Sequence, residues 1–355
     1  MQEAMKSFRI AVIPGDGIGV DVTDAAWTVL QAAAAKHEFE LAKTQFPWSC
    51  DYYLQQGRMM PEGGIEILRS FDAILLGAVG WPEKVPDSVS LHGLLLPIRK
   101  AFDLYVNVRP HKLLRGIAGP LRTTSFDILC VRENTEGEYS GAGGRVHVGT
   151  PHEVAVESAI FTRRGVERIL RYGFEQASVR SGRLCSVTKS NAQKHSMVFW
   201  DEVTDAVSAD YPEVEVRKSH VDAVAARLVL QPETLDVVVA SNLFGDILSD
   251  IGAAIQGGLG FAASANINPA GGVPSMFEPV HGSAPDIAGR GMANPLAAIW
   301  SGAMMLAHLG QPDAAKSIMR SMEAITDEGL LKTPDQGGHS STTYVAEGVI
   351  AELSR

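Results

Sequence analysis

Residues 236–250 read DVVVASNLFGDILSD, from Asp236 to Asp250. The segment Asp236-Val237-Val238-Val239-Ala240 has the apolar character of a buried strand. Apolar residues then recur at helical spacing, at Leu243, Phe244, Ile247, Leu248 and Ile251. The pattern therefore predicts a strand that ends at Ala240 and a helix that follows it directly.

Two carboxylates on this predicted helix, Asp246 and Asp250, are four residues apart. Their side chains share one face, with Cβ atoms roughly 5–6 Å apart, and like charges so placed oppose the helix by about 0.2–0.5 kcal/mol. A hard divalent cation reverses that sign, because Mg²⁺ and Mn²⁺ bind carboxylate oxygens and keep positions open for substrate. The spacing alone also fits an ordinary helix start, with Asp246 near the N-terminal dipole and Asp250 solvated, and paired acids are common on helices.

Length and charge limit the classes of protein that this chain can represent. A chain of 355 residues is too long for one small core, so two lobes are expected. A net charge of −10, without any run rich in lysine and arginine, argues against a nucleic-acid partner. A small anion held by a few local arginines stays compatible with this charge.

The cysteines and the N-terminus predict a cytoplasmic protein. Cys50, Cys130 and Cys185 are odd in number and include no C-x-x-C pair, which argues against a disulfide framework or a cysteine zinc site. Met1–Lys6 lacks the apolar core of a signal peptide, and no run of 18 apolar residues occurs. We therefore expect no membrane association.

Strand and helix patterns alternate along the chain, which predicts an α/β fold with a largely parallel sheet. The predicted strands are 8–13, 40–45, 73–77, 104–110, 127–131, 154–158, 182–187, 214–216 and 236–240. The predicted helices are 20–36, 64–69, 91–102, 163–176, the segment after Ser241, 296–309 and 314–328.

The first predicted turn, Pro14-Gly15-Asp16-Gly17-Ile18-Gly19, lies between a strand and a helix. After Gly15 and Gly17, position 20 is Val where the dinucleotide fingerprint G-x-G-x-x-G requires Gly. We interpret the segment as a glycine turn of the α/β sheet and not as a Rossmann phosphate loop.

Three arginines lie in or next to predicted element ends, where α/β sheets place ligands. Arg99 lies on a predicted helix, and Arg109 and Arg132 end predicted strands. Guanidinium groups bind carboxylates through two parallel hydrogen bonds, so the set suits a dicarboxylic acid. Taken singly, each arginine fits a surface or ion-pair role as well.

Further polar residues follow other predicted strands. Lys189 follows the strand 182–187, where loss of solvation would let it act as a base near neutral pH, although an exposed lysine is merely solvated. Asp222 is the third candidate metal carboxylate. Backbone N–H groups of Gly282, Ser283 and Ala284 would suit a pyrophosphate and Asp286 a ribose diol, although turn residues also explain this loop.

Five segments together resemble the metal-dependent β-decarboxylating dehydrogenases, a family that includes isocitrate, isopropylmalate, homoisocitrate, tartrate and D-malate dehydrogenases. The segments are Pro14–Gly19, the region from Arg99 to Pro110, Arg132–Tyr139, Ser241–Asp250 and Glu278–Asn294. They occur in order over nearly the whole chain, and the longer ones are highly specific.

The resemblance implies an isopropylmalate-dehydrogenase-like α/β fold of two domains that share one large mixed sheet. The large cofactor-binding domain would comprise residues 1–104 and 258–355. The small domain, 105–257, would hold the dimer interface and the metal aspartates. A homodimer is implied, with active sites shared between subunits.

The resemblance also assigns roles to residues. Asp246 and Asp250, with Asp222 from the neighbouring subunit, match ligands of Mg²⁺ or Mn²⁺. Arg99, Arg109 and Arg132 match clamps for substrate carboxylates, and Leu95 lies at a substrate-contacting position. Lys189 matches the base that takes the hydroxyl proton, and Tyr139 matches the acid that protonates C3. The positions matching cofactor contacts are Asn191, Glu278, His281, Gly282, Ser283, Ala284, Asp286, Ile287 and Asn294.

The resemblance further favours NAD as the cofactor. NADP-using isocitrate relatives place Lys and Tyr where Asp286 and Ile287 stand here. A carboxylate repels a 2′-phosphate and accepts a hydrogen bond from a free 2′-hydroxyl. The resemblance also allows K⁺ as an additional cation.

The substrate is predicted from the segment before Arg99. Gly93 and Leu95 stand where isocitrate relatives place Ser and Asn, and His92 stands where isopropylmalate relatives place an acid. Gly77–Pro82, Val85–Asp87 and Leu91–Gly93 look like the tartrate and D-malate branch, although His92 departs from the bulkier aromatic residue expected there. D-malate or tartrate is the predicted substrate, with isopropylmalate as the alternative. A non-catalytic metal-binding homologue is the alternative from a different class.

Overall fold

The computed structural model describes residues 5–123 and 125–355. The strands are β1 (Ser7–Gly15), β2 (Glu40–Gln45), β3 (Ala73–Ala78), β4 (Val106–Lys112), β5 (Asp127–Glu133), β6 (Gly137–Val146), β7 (Val154–Ile160), β8 (Arg183–Thr188), β9 (Glu215–His220), β10 (Val237–Ala240), β11 (Ala263–Ile267) and β12 (Ser275–Pro279). The helices are α1 (Ile18–Lys36), α2 (Cys50–Gln56), α3 (Gly64–Leu68), α4 (Asp87–Ser90), α5 (Leu96–Ala101), α6 (Arg163–Ser178), α7 (Ser196–Ser208), α8 (Val221–Leu230), α9 (Asn242–Ile255), α10 (Leu296–His308), α11 (Pro312–Glu328) and α12 (Thr342–Leu353). A π-helical segment, Leu91–Leu95, connects α4 to α5, and 3₁₀ turns lie at Pro232–Thr234, Leu259–Phe261 and Pro334–Gln336.

The chain divides into two compact units. The first contains the described residues up to Leu104 together with Leu113–Pro120 and Gln256–Arg355, and the second contains Tyr105–Lys112 and Leu121–Ile255. The predicted boundaries differ from this division at residues 113–120, 256 and 257, which belong to the first unit. The close contact of Gly116 with the backbone of Thr326 in α11 accounts for the placement of the first of these segments.

In the first unit, five strands lie in the order β2-β1-β3-β12-β11. All the neighbouring pairs are parallel except β11 and β12, which are antiparallel. Helix α1 packs on α10 and α12, and its buried face includes Val22, Ala26, Val29 and Leu30. Burial of such an apolar helix face against neighbouring elements is the main stabilising contribution in an α/β unit.

In the second unit, the strand order is β4-β5-β10-β8-β9, with β4 and β5 antiparallel and the remaining pairs parallel. β6 and β7 form a separate two-stranded sheet whose residues are mostly exposed. Helix α6 approaches β10 closely, since a Cβ on Gly173 would lie 2.3 Å from the Val239 side chain. The α/β class and the mixed sheet are thus confirmed.

Several element boundaries differ from the sequence predictions. Helix α1 begins at Ile18 and not at Val20, and β4 continues to Lys112, so that Arg109 lies inside the strand rather than at its end. Arg132 likewise lies inside β5. The patterns did not predict α2, α4, α7, α8, β6, β11, β12 or α12. Many of these elements are short or have polar, exposed residues, which weakens the periodicity on which prediction depends.

Within the described residues, no helix is both long enough and apolar enough to cross a membrane. Cys50, Cys130 and Cys185 are buried free thiols. Burial raises the pKa of Cys50 to about 12 and that of Cys130 to about 11, so neither thiol forms a thiolate near neutral pH. We assign these cysteines to the core.

Candidate active site

Helix α9 carries Asp246 and Asp250 on one face, as its sequence predicted. The helix lies close to β5, where a Cβ on Gly245 would be 2.7 Å from the Arg132 side chain. Glycine is therefore required at position 245 if α9 is to approach the strand that carries Arg132. This close approach brings a buried arginine against the first aspartate of the pair.

Arg132 is held by two side chains of α9. Its Nη1 donates to Asp246 Oδ1 at 2.5 Å, and its Nη2 and Nε donate to Asn242 Oδ1 at 2.7 and 3.2 Å. The Arg132 side chain is only 3 % exposed, whereas that of Asp246 is 35 % exposed. The arginine is thus fixed by the protein, and the Asp246 carboxylate keeps an accessible side.

Arg109 also lies beside the aspartate pair. Its Nε donates to Asn107 Oδ1 at 2.8 Å, two residues earlier on the same face of β4, and its Nη1 donates to Ser249 Oγ at 2.7 Å. The same Nη1 is 3.3 Å from Asp246 and 3.8 Å from Asp250. Two buried guanidinium groups therefore partly neutralise the two carboxylates.

The ionised form of Asp250 is disfavoured although Arg109 lies nearby. Partial burial and the nearby Asp246 carboxylate raise its pKa, while Arg109 lowers it. Its side chain is 64 % exposed, so solvent or a ligand reaches it. Two oxygen donors on one helix face, with a charge that a cation would relieve, fit part of the ligand set of Mg²⁺ or Mn²⁺.

Tyr139 lies next to the same cluster. Its hydroxyl donates to Asp246 Oδ2 at 3.3 Å, and the Arg132 guanidinium lies 5.7 Å from its ring centre. Partial burial, followed by the charge of Asp246, raises the pKa of the phenol above its ordinary value. The side chain is 42 % exposed, so this protonated hydroxyl is available to a substrate.

Lys189 and Asp222 form a pair of their own in the second unit. Lys189 Nζ donates to Asp222 Oδ1 at 2.6 Å, and this contact lowers the pKa of Asp222. Over residues 5–123 and 125–355, no group of three or more histidine, cysteine or acidic side chains is placed to hold a metal ion. Asp222 is therefore not brought to Asp246 and Asp250 within a single chain.

In the first unit, Arg99 forms a buried ion pair. Its Nη2 donates to Glu278 Oε1 at 2.8 Å, and both side chains are at most 10 % exposed. Asn266 Nδ2 donates to the same Glu278 oxygen at 2.8 Å. Glu278, which the sequence placed among the cofactor contacts, is thus a partner of Arg99 in this structure, and it restricts the orientation of that arginine.

The loop after β12 is attached to the start of α1. Ile18 N donates to Ser283 O at 2.7 Å, and Gly289 N donates to Asp21 Oδ2 at 2.9 Å. Gly17 has φ +56°, and a Cβ there would lie 2.0 Å from Ser283 O. Glycine at this position therefore allows the turn to pack against the loop. This contact supports the interpretation of the turn as a packing element.

The loop after β12 contains backbone N–H groups and a carboxylate without hydrogen-bond partners among the described residues. The N–H groups of Gly282, Ser283 and Ala284 donate no hydrogen bond to any residue that the structure describes, and Ala284 has φ +37°. The Asp286 carboxylate is exposed and likewise has no partner among the described residues. Successive unpaired N–H groups with a nearby carboxylate fit a pyrophosphate and a ribose diol.

Other candidate residues have different surroundings. Asn294 accepts a hydrogen bond from Leu296 N, at the first residue of α10, at 3.0 Å and donates to Asp335 at 3.1 Å, so both ends of its amide have protein partners. His281 is half-buried, desolvation lowers its pKa, and its Nδ1 lies 3.0 Å from Gly282 O. Leu95 ends the π-helical segment, Ile287 is half-buried, and Asn191 is exposed after β8.

The sequence did not identify the side chains that hold the arginines. Asn107, Asn242 and Ser249 are all buried and bonded to Arg109 or Arg132. For two of them the spacing in sequence could have indicated proximity to the site, because Asn107 is two residues from Arg109 and Ser249 is three from Asp246. Nothing local distinguishes such amides and hydroxyls from ordinary turn or core residues.

Comparisons with known proteins over nearly the whole chain all indicate the same family. The family model described as isocitrate/isopropylmalate dehydrogenase matches residues 9–349. The chain belongs to this family. Its α/β architecture is also that of an isocitrate dehydrogenase from Methylococcus capsulatus, with a TM-score of 0.89 and 35% identity over 98% of this chain and 100% of that one.

Relatives with about half of their residues identical narrow the class further. A protein named probable tartrate dehydrogenase/decarboxylase from Bacillus subtilis is 52% identical over 99% of both chains. The D-malate dehydrogenase [decarboxylating] of Escherichia coli is 53% identical over 99% of this chain and 100% of its own length. The family and the branch that the sequence motifs predicted are thereby confirmed, and the chain is a decarboxylating dehydrogenase.

Proposed function

We propose that this enzyme catalyses the NAD-dependent oxidative decarboxylation of a small 2-hydroxy dicarboxylic acid, D-malate, tartrate or both. For D-malate the products are pyruvate, CO₂ and NADH. The observation that carries the proposal is the joint placement of Asp246, Asp250 and the Tyr139 hydroxyl beside the buried guanidinium groups of Arg109 and Arg132. The names of the relatives at 52% and 53% identity support the choice of substrate.

Binding of the diacid falls to the arginines. Arg109 and Arg132 are fixed by Asn107, Ser249 and Asn242, so a carboxylate meets preoriented donors and little side-chain entropy is lost. Arg99 is held in the same manner by Glu278 in the first unit. Residues that are already bonded in the free protein give orientation rather than mere attraction.

Proton transfers fall to Lys189 and Tyr139. Lys189, directly or through a relay, would take the proton of the C2 hydroxyl, and a bound nicotinamide would serve as the acceptor of the hydride from C2. The bond between C3 and its carboxyl carbon then breaks, CO₂ departs, and Tyr139 returns a proton to C3. The raised pKa of Tyr139 suits this role, because the phenol stays protonated until negative charge develops at C3.

The proposed divalent cation is Mg²⁺ or Mn²⁺, and K⁺ is a further candidate cation. When bound, the divalent cation supplies Lewis acidity that stabilises negative charge on the substrate oxygens. Asp246 and Asp250 would hold it, and Asp222 of a second copy would complete the ligand set. The proposed dinucleotide is NAD, bound by the N–H groups of Gly282–Ala284 and by Asp286.

We further propose a homodimer in the cytoplasm, without a nucleic-acid or membrane partner. The two-stranded sheet of β6 and β7 exposes Val146, Val154, Val156 and Ile160, each more than 40 % accessible. An isolated two-stranded sheet is marginally stable in water, so a second copy that covers it is favoured. Light scattering should give twice the chain mass for the wild type and a smaller mass for Val154→Asp/Val156→Asp.

An assay of four diacids tests the function. NADH formation is followed with D-malate, tartrate, isopropylmalate and isocitrate, each with NAD⁺ and Mn²⁺. The highest kcat/KM is expected for D-malate or tartrate. A preference for isopropylmalate would replace the proposed substrate with the alternative. Absence of turnover with all four would favour the non-catalytic homologue, against which the presence of Lys189, Tyr139 and the three aspartates argues.

A further inference from the structure

Glu138 connects the strand of the proposed acid, Tyr139, to the helix of the proposed metal ligands. Its Oε1 accepts a hydrogen bond from Ser241 Oγ at 2.8 Å, and its Oε2 accepts one from Leu243 N at 3.1 Å. Both donors lie at the start of α9, one turn before Asp246. One carboxylate on β6 thus binds the end of the helix that carries both aspartates.

Tyr139 depends on such a connection because other constraints on it are weak. The regular pairing of β6 with β7 is interrupted between Gly137 and Ala142, so Tyr139 lies in the irregular part of the ladder. Its side chain is 42 % exposed and therefore is not fixed by core packing. The contact with Asp246 is long, at 3.3 Å, which gives little orientation on its own.

The Glu138 carboxylate is favourable where it lies. Among the described residues it has no cationic partner, and it receives one of the N–H groups that every helix leaves unpaired at its N-terminus. A negative charge at this end of a 14-residue helix also interacts favourably with the helix dipole. The residue therefore stabilises the first turn of α9 as a cap supplied from another strand.

We propose that Glu138 is a positioning residue, which holds Tyr139 at the distance from Asp246 at which it delivers a proton to the substrate. Neighbouring contacts support the same junction, since Asn242 Nδ2 donates to Glu136 O at 3.2 Å while Asn242 Oδ1 accepts from Arg132. Contacts with the N-terminal end of α9 therefore position Arg132, Tyr139 and Asp246 relative to one another. The inference rests on the proposed function, because it assigns Tyr139 the role of acid.

The first arm of the test uses the metal-free protein and no substrate. Hydrogen exchange of a peptide spanning residues 241–250 is compared between the wild type, Glu138→Ala and Glu138→Gln. Glu138→Ala should exchange faster in this peptide, because Leu243 N–H loses its acceptor. Glu138→Gln should stay close to the wild type, since the amide accepts from Leu243 N–H and donates to Ser241 Oγ.

The second arm measures turnover. Glu138→Ala should lower kcat for the preferred diacid by about 10–100-fold, as removal of an outer support of a metal site typically does. The KM for NAD⁺ should change less than kcat, and Glu138→Gln should recover most of the loss. Ser241→Ala removes the hydroxyl that donates to Glu138. In the double variant, the loss of kcat should be smaller than the sum of the two single effects, expressed as free energies, because both substitutions break the same hydrogen bond.

Glu175→Ala is the control, because Glu175 is an exposed carboxylate of the same unit, on α6, and not part of the proposed site or dimer surface. Equal kcat and equal exchange for Glu138→Ala and Glu175→Ala would overturn the inference. A Glu138→Gln variant as impaired as Glu138→Ala would overturn it too, since hydrogen bonding would then not be the cause. If the wild type itself turns over no diacid, the proposed function fails, whereas the exchange arm still tests the connection.

Discussion

The candidate functional residues of the two units fall into two groups that differ in burial. Arg132 and Arg99 are at most 8 % exposed in their side chains. Arg132 donates to Asp246 and Asn242, and Arg99 donates to Glu278. Asp250 and Asp222 are 64 and 67 % exposed, and Tyr139 is 42 % exposed. The buried group is positioned by the protein, and the exposed group is left for ligands.

This difference has energetic consequences. A buried ion whose partner is removed pays its desolvation cost without compensation, whereas an exposed ion is screened by water. Substitutions in the exposed group should therefore affect turnover with little effect on stability. Substitutions in the buried group should affect stability as well.

The largest effect is expected from Asp250→Asn. The change removes one charge from the proposed cation site, and turnover with Mn²⁺ should fall below detection while the free energy of unfolding is nearly unchanged. Asp313→Asn, at an exposed aspartate in the first turn of α11, serves as the control. Full activity of Asp250→Asn at ordinary Mn²⁺ concentration would remove the metal assignment.

Tyr139→Phe tests the exposed group by deleting only a hydroxyl. Steady-state turnover should fall by about 10²–10⁴-fold, the usual worth of a placed general acid, while substrate and NAD⁺ binding are retained. Stopped-flow absorbance should reveal a rapid first turnover of NADH, because hydride transfer precedes the proton return. A nearly normal rate would make Tyr139 a packing residue, and loss of binding would make it a substrate-orienting one.

Arg132→Ala tests the buried group. It leaves Asn242 without its donor and Asp246 without its closest cation, so the free energy of unfolding of the metal-free protein should fall by about 3–5 kcal/mol. Urea titration measures the change. A loss below about 1 kcal/mol would mean that this ion pair behaves as a surface pair, and the contrast between the groups would disappear.

A smaller effect on turnover is expected from the exposed Asp286, which we expect to influence the preference for NAD⁺ over NADP⁺. Its carboxylate should repel a 2′-phosphate, giving a kcat/KM for NAD⁺ at least ~10-fold above that for NADP⁺, or about 1.4 kcal/mol. Asp286→Asn should narrow the ratio because the repulsion is removed. Equal use of both cofactors by the wild type would show that Asp286 does not meet the ribose.

The smallest effect on stability is expected from Lys189→Ala. The Lys189–Asp222 pair is short at 2.6 Å, but its side chains are 28 and 67 % exposed. Such exposed pairs contribute little to stability, so the free energy of unfolding from a urea titration should be nearly unchanged. Activity should nevertheless be lost, because the proposed base is gone. A stability loss comparable to that of Arg132→Ala would place Lys189 in the buried group.

The sequence by itself determined the family, the α/β class and the strand-helix junction at Ser241. These follow from local information: an apolar run that ends at Ala240, helical spacing from Leu243 onward, and motifs whose residues are close in sequence. It also named Asp246 and Asp250 as a pair, because a spacing of four places two side chains on one helix face whatever surrounds the helix.

Only the tertiary structure decided which partners these residues have. Asp246 meets Arg132 across 114 positions of sequence, Arg99 meets Glu278 across 179, and Glu138 meets Ser241 across 103. No local pattern encodes such pairings, because they depend on how closely separate elements approach, as Gly245 permits for α9 and β5. Burial, which separates the fixed charges from those left open to ligands, is likewise a property of the packed chain and not of any single segment.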